Sequence, residues 1–393
     1  MASPVDTSVK VFYSTMFAAP QGFRGVVGSA LPVIVACMVT GFDEVTLSSL
    51  TVTDGIATAT FPAGHSAVAQ CVVLIAGAGG TGLDVLNGEQ KVVTRIGNTI
   101  TFATDAPDGT ATGTITMKMA PAGWTQEFTG TNLVSLRPNA TDGNRHFLRL
   151  QDTSTTTLRA VGYEDMTAIS TGTGQFPTTA QLSGGAYWPK SESTAAIDNP
   201  WMIVADGKRM YLGVATGFSY DSTYGAMTVV GFGDFRSYRK TADPYATFIS
   251  IGGLSALSWD SSLALQAIGS GWGYAPRPHT AVGVSSPMEL MSSVGATGIS
   301  GVDSRFGTYP GIADGLYLAK SLIGTNMTTQ GPRGELSGIW HVPQVVTHGT
   351  FAIGDTIPGA GDTAGRVLMA MPVSSGYGST TWGHAFFDVT GPW

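Results

Sequence analysis

Charge is what this chain has least of. Asp, Glu, Lys and Arg make up 12% of its 393 residues, about half the roughly 25% usual in globular domains. The net charge is −7, and its basic runs are no longer than the pairs Lys208-Arg209 and Arg239-Lys240. Nucleic-acid binding needs a clustered basic footprint, and a polybasic membrane anchor needs a longer run. Neither nucleic acid nor membrane insertion is therefore expected. The longest apolar run, residues 30–39, is too short to span a bilayer. The opening MASPVDTSVK has no charged region followed by an apolar stretch, so it does not read as a secretory signal. Synthesis in a cytoplasm is the expectation.

Cysteine is nearly absent. Cys37 and Cys71 both lie in apolar surroundings and read as buried free thiols. A disulfide scaffold or a zinc site would need more ligands at closer spacing. The six histidines, His65, His146, His279, His341, His348 and His384, form neither H-x-x-x-H nor H-E-x-x-H. No metal and no cofactor is expected. A serine elbow of the G-x-S-x-G type is missing. Among the carboxylates, Glu164, Asp165, Asp234, Asp260, Asp303 and Asp314 are available for a glycosidase pair. Only Glu164 and Asp165 are adjacent, and neighbours on a strand face opposite sides. The chain does not read as an enzyme.

Glycine, by contrast, is abundant, with 53 copies. Residues 71–119 show how it is used. An apolar run precedes Asn87-Gly88, Gly97-Asn98 and Asp108-Gly109, with alternating Val, Ile, Thr and Phe between them. Asn-Gly and Asp-Gly tolerate the positive φ of tight hairpins, so a meander of antiparallel strands is predicted. Gly77, Gly79 and Gly82 form G-x-G-x-x-G after the apolar run. A dinucleotide site would continue into a helix. Here a turn signal follows within six residues, leaving only a Gly-rich loop.

Further elements follow from the same grammar. Residues 31–39 are predicted as a short apolar helix, capped by Ser29, with Pro32 in its first turn and Gly41 at its end; a buried strand is the alternative. Residues 45–53 and 56–61 form a hairpin across Asp54-Gly55. Strands are predicted at 9–13, 146–151, 157–163, 227–232, 248–254, 263–268, 366–373 and 382–389. A second hairpin joins 201–204 to 210–215 through Asp206-Gly207. Residues 170–200 read as a long ordered loop, and 287–293 as a short helix. The whole is mainly β: a small N-terminal β-sandwich or barrel of hairpins over 1–125, then a larger, loop-rich β domain over 126–393.

Aromatic residues near Gly or Pro are the remaining signal: Tyr187, Trp188, Trp259, Trp272, Tyr274 and Tyr309, with Trp393 closing an apolar strand. If exposed, they would stack on glycan or anchor a protein interface. If buried, they plug the ends of β layers.

Several stretches carry a resemblance. VKVFYSTM at 9–16, LNGEQKV at 86–92, TFAT at 101–104, PDGTATGTITMKMAPAGW at 107–124, PRGELSGIW at 332–340 and FFDVTGPW at 386–393 resemble structural proteins of tailed bacteriophage virions, from the tail-tip and baseplate region. The resemblance implies a multi-copy, mainly-β virion subunit. Its partners would be copies of itself and other virion proteins. A receptor-binding or fibre-like protein touching host surface glycan, and a capsid decoration or neck protein, are the alternatives. It assigns no functional residue.

Overall fold

The computed structural model describes residues 3–216, 227–239, 241–253, 269–291, 315–325, 330–342, 349–374 and 382–393. They fold almost entirely into antiparallel sheets. The expected strand at 263–268 lies outside the described residues, as do Trp259, Tyr309, Asp260, Asp303, Asp314 and His348.

The strands of the first third do not form one meander. Between Phe42 and Met119 they divide between two sheets. One runs Phe42–Thr46, Thr116–Met119, Val72–Ala76, Gly88–Lys91; the other runs Thr94–Ile96, Thr99–Ala103, Ile56–Thr60, Ser49–Thr53, Gly109–Thr110. Alternation decides which side chains are buried. Leu50, Ala59 and Ile100 share a row, as do Val52, Ala57 and Phe102, and all six are buried while the threonines between them face outward. The Asp54-Gly55 hairpin is present, with both residues at positive φ. Asn87-Gly88 is not a hairpin turn. The Asn87 side chain instead clamps the Gly-rich loop, accepting from Ala78 N at 2.9 Å and donating to Ala78 O at 2.7 Å. The loop holds a single 3₁₀ turn, Asp84–Leu86, and Gly77, Gly80 and Gly82 take positive φ.

The predicted helix is real: Ala30–Val35 runs into a π-helical turn, Ala36–Thr40, which Gly41 ends at φ +73°. Its cap was misread. The Ser29 hydroxyl lies within reach of the carbonyls of Gly22 at 2.6 Å and Val26 at 2.7 Å and gives its one proton to one of them, away from the helix. The first free amide, Ala30 N, is taken by Asp152 Oδ2 at 2.9 Å, from 122 residues away. Lys190 pairs with the other oxygen of Asp152, and both side chains are fully buried. Cys37 and Cys71 are buried free thiols.

A second, five-stranded sheet follows in chain order: Thr125–Gly130, Leu133–Arg137, Phe147–Gln151, Thr157–Tyr163, Ala186–Pro189. The last strand falls inside the expected loop at 170–200, which also contributes Thr171–Thr173. Tyr187 and Trp188 thus sit on a strand.

The remaining elements build a thirteen-stranded sheet. It opens with Lys10–Tyr13 and continues through Trp201–Ala205, Arg209–Val214, Thr228–Asp234 and Thr247–Ser250. Gly269–Ala275, Ser286–Met291, Ala319–Gly324, Gly334–His341, Trp382–Asp388, Val367–Ser374 and Thr356–Pro358 complete the path of twelve, and Arg236–Ser237, paired off the path with Gly334–His341, is the thirteenth. The predicted helix at 287–293 is therefore wrong for its described part. Met288 and Leu290 both point into the core, and pairing to Gly269–Ala275 enforces a period of two. The sheet curls until its far half meets its near half, where Met227 N bonds Pro372 O at 2.9 Å. Tyr211 packs on Phe387, and Gly213 lies against Met371. The opposite face of the same strands is also covered, with Trp124 and Phe176 on Phe232 and Phe23 on Trp201. Strands 201–205, 209–214, 228–234 and 247–250 are consequently buried at every residue. Because Lys10–Tyr13 is its first strand, the large sheet reaches back across the expected division near residue 125.

Candidate functional site

A cleft lies at the end of the large sheet where the chain turns between Trp201–Ala205 and Arg209–Val214. Asp206 shapes that turn. Its Oδ1 accepts from Lys208 N and Arg209 N, each at 2.8 Å, and its carbonyl accepts from Trp124 Nε1 at 2.8 Å. The local sequence D-G-K-R thus presents two successive cations at one sheet end. The cleft has a volume of about 630 Å³ and is lined by Asn144, Lys208, Arg209, Asp234, Asp243 and Trp393 among others. A smaller hollow of about 390 Å³ shares Asp142, Lys208 and Trp393 with it and extends to Lys10 and Asn139.

Arg209 is the unusual group. It is only 4% exposed, yet Nε and Nη1 are buried without an acceptor. Asp206 Oδ2 approaches Nε to 3.6 Å, an ion pair without a hydrogen bond. A buried donor left unmet costs about 1–3 kcal/mol, so the cleft favours a hydrogen-bond acceptor. The Trp393 ring lies 6.0 Å from this guanidinium and 5.8 Å from Tyr211. Its Nε1 donates to Asp388 O at 2.7 Å.

Asp234 forms the other wall. Burial pushes its carboxyl above the usual range, opposed by Asn144 N at 2.7 Å, the Thr247 hydroxyl at 2.8 Å and the charge of Arg209. Thr247 gives its one proton to Asp234 and is then an acceptor for His146 Nδ1 at 2.8 Å. His146 is held neutral, its pKa lowered by burial to about 4. Its ring lies edge-on to Phe176 and stacked on Tyr245. The Asp234–Thr247–His146 chain ends in aromatic rings, so its geometry ties the five-stranded sheet to the large one. A parallel tie runs through Arg277, which pairs with Glu164 through two 2.7 Å bonds and covers Tyr245 at 4.3 Å. The side chains of Arg333 and Asp243, both 1% exposed, pair between two connections of the large sheet itself, with bonds of 2.9 and 3.0 Å.

Of the aromatic candidates, Trp393 alone among the described residues lines this cleft. Trp188 is core, not an exposed loop residue: it is fully buried and donates to Ser250 O at 2.8 Å. Tyr187, on the same strand, is half-buried under the guanidinium of Arg159, 3.4 Å from its ring. Tyr274 is buried on strand Gly269–Ala275, which also carries Trp272. Gly273, Pro276 and Pro278 make this stretch look like a loop in sequence, yet both aromatics stand on a strand. Glu164 is committed to Arg277, and Asp165 is exposed on the next strand, so these two do not converge. Among the described residues no cluster of three His, Cys, Asp or Glu side chains could hold a metal ion. No described helix is long and apolar enough to cross a membrane.

Asn144 was not singled out from sequence, Arg209 was noted only as half of a basic pair, Asp234 only as one of six carboxylates, and His146 only as one of six histidines. One signal was available. Arg209 alternates in register with Tyr211 and Gly213 along an otherwise apolar strand, and a charge on a core-facing row marks a buried polar site.

No family model matches the chain, and no curated protein matches it.

Proposed function

We propose that this chain is a structural subunit of a tailed-bacteriophage virion, present in several copies and acting through protein–protein contact. The sequence motifs suggest the class of particle. The observation that carries the contact role is the pairing of a charge-poor surface with outward-facing apolar side chains. Ile96 is 77% exposed, Val282 75% and Val284 72%. Val26, Val27 and Ile197 are exposed on two loops joined by the Gly25 N to Ala195 O bond. Interface cores are depleted in charge and hold such residues, and a stable interface buries roughly 1,600 Å² in total.

Light scattering on the purified chain tests this. A stable oligomer is expected, and Val282→Lys with Val284→Lys should shift its mass downward while the melting temperature stays unchanged. A strict monomer at all attainable concentrations, with the double variant indistinguishable, would overturn the self-assembly part. The reading as a host-glycan binder has its own support, in a groove on the five-stranded sheet.

A further inference from the structure

The outer face of the five-stranded sheet carries two arginines, Arg149 and Arg159, that no carboxylate among the described residues pairs with. Strand register places Gln151, Arg159 and Tyr187 in one row, and Arg149 with Val161 in the next. Tyr163 occupies the row beyond, opposite Phe147. A groove of about 330 Å³ runs over this face, at the small end of ligand-site volumes. Arg149, Gln151, Val161 and Tyr163 form its floor. Ser170, Gln175, Thr179 and Gly184 wall it from the segment that folds back over the sheet.

No acidic residue lines the groove. Arg149 spends Nε on Ile169 O at 2.8 Å and Nη2 on Gln151 Oε1 at 3.3 Å. Arg159 is held by the carbonyls of Ser183, Gly184 and Gly185 and stacks on Tyr187. Neither arginine has an ion-pair partner among the described residues. Carbonyl oxygens fix the orientation of a guanidinium without cancelling its charge. In a chain of net charge −7, this groove is a local inversion of sign. The rest of its lining is amide, hydroxyl and phenol, the set that matches sugar hydroxyls, and Tyr163 adds a ring on which a sugar face can pack.

We propose that this groove binds a short, carboxylate-bearing oligosaccharide. Arg149 on the floor faces the sugar carboxylate, with the charge of Arg159 one row away adding to the positive field, and Gln151, Gln175 and Thr179 meet the hydroxyls. One arginine in the groove and one beside it give too small a cationic track for a nucleic-acid backbone, which is read by an extended row of charges. The inference is independent of the assembly reading: a monomer and an oligomer expose the same groove.

Titration calorimetry on the full chain tests it, with oligogalacturonate as the acidic probe, a malto-oligosaccharide as the neutral one and single-stranded DNA of similar charge as the polyanion. Binding of oligogalacturonate that weakens with salt is expected, with little heat from the neutral sugar or DNA. Arg149→Gln should weaken it roughly tenfold or more, the cost of one charge-assisted pair. Gln175→Ala, on the groove wall, should weaken it several-fold while leaving the far-ultraviolet spectrum unchanged. Arg149→Lys should recover part of the loss. The proposal is overturned by an absence of acidic-sugar binding, by equal binding of the neutral sugar, by tighter binding of DNA, or by Arg149→Gln and Gln175→Ala variants that fold and bind as the parent does.

Discussion

The two sheets of the first third and the thirteen-stranded sheet spend their residues differently. In Ser49–Thr53 and Ile56–Thr60, buried and outward positions alternate, because only one face is covered. In Trp201–Ala205 and Arg209–Val214 every residue is buried. That second pattern normally marks a parallel sheet with helices on both faces. Here the strands are antiparallel, and the covers are the sheet's own far half on one side and the five-stranded sheet with its neighbours on the other. An antiparallel strand reads as continuously apolar when its sheet curls over itself. Polar groups on such strands must then be met by specific partners, as Asp234 is by Asn144 N and the Thr247 hydroxyl.

This contrast can be broken most strongly at Trp188. Trp188→Ala removes a ring packed between the five-stranded and large sheets and leaves the Ser250 carbonyl unmet. A loss of about 3–5 kcal/mol is expected in chemical denaturation, and a value under about 1 kcal/mol would mean that the two sheets are not firmly joined there.

Acid probes the same seams. His146 and His341 are each lowered by burial from 6.5 to about 4, and burial also lowers His65. Between those values the unfolded chain binds protons that the folded chain refuses. Stability from these groups is full above pH 6.5 and falls as pH drops toward 4. His341→Gln should flatten the slope of melting temperature against pH in that window, and an unchanged slope would remove His341 from the account.

Asp206→Ala leaves the Lys208 and Arg209 amides without their acceptor. A loss of about 1–2 kcal/mol is expected. It also frees the cleft's arginine, visible as faster amide exchange across the 205–210 turn. In the first third, Asn87→Ala unclamps the Gly-rich loop from Ala78, at about 1 kcal/mol, with proteolytic nicking in 77–88 as the readout. Smallest of all is Thr51→Ala, on the outward row of an alternating strand. It should stay within about 0.5 kcal/mol, and a larger value would show that this face is covered too.

Much of the fold was legible before any coordinates. Strands 157–163 and 201–204 and the hairpins at Asp54-Gly55 and Asp206-Gly207 were readable because turn chemistry and side-chain alternation are local properties. The errors share one cause. Residues 287–291 look helical by composition, yet pairing with Gly269–Ala275 overrides propensity. Trp188 looks like a loop aromatic because glycines surround it, yet Leu158 on the neighbouring strand fixes it as a strand residue. The candidate site was mostly illegible. Trp393 and Asp234 were named separately, but Arg209, Asn144 and Asp234 come from three separated stretches that meet only at the sheet's end.

Sequence alone determined that this protein is mainly β, poor in charge and turned by glycine, since those facts rest on composition and on contacts between near neighbours. Tertiary structure decided which strands share a sheet and that Asp152 caps a helix 122 residues away. It also decided which arginines stand without a carboxylate. Such facts depend on distances between residues far apart in the chain. Backbone sterics and side-chain alternation constrain neighbours along the chain, whereas burial and charge pairing are settled only when distant strands pack.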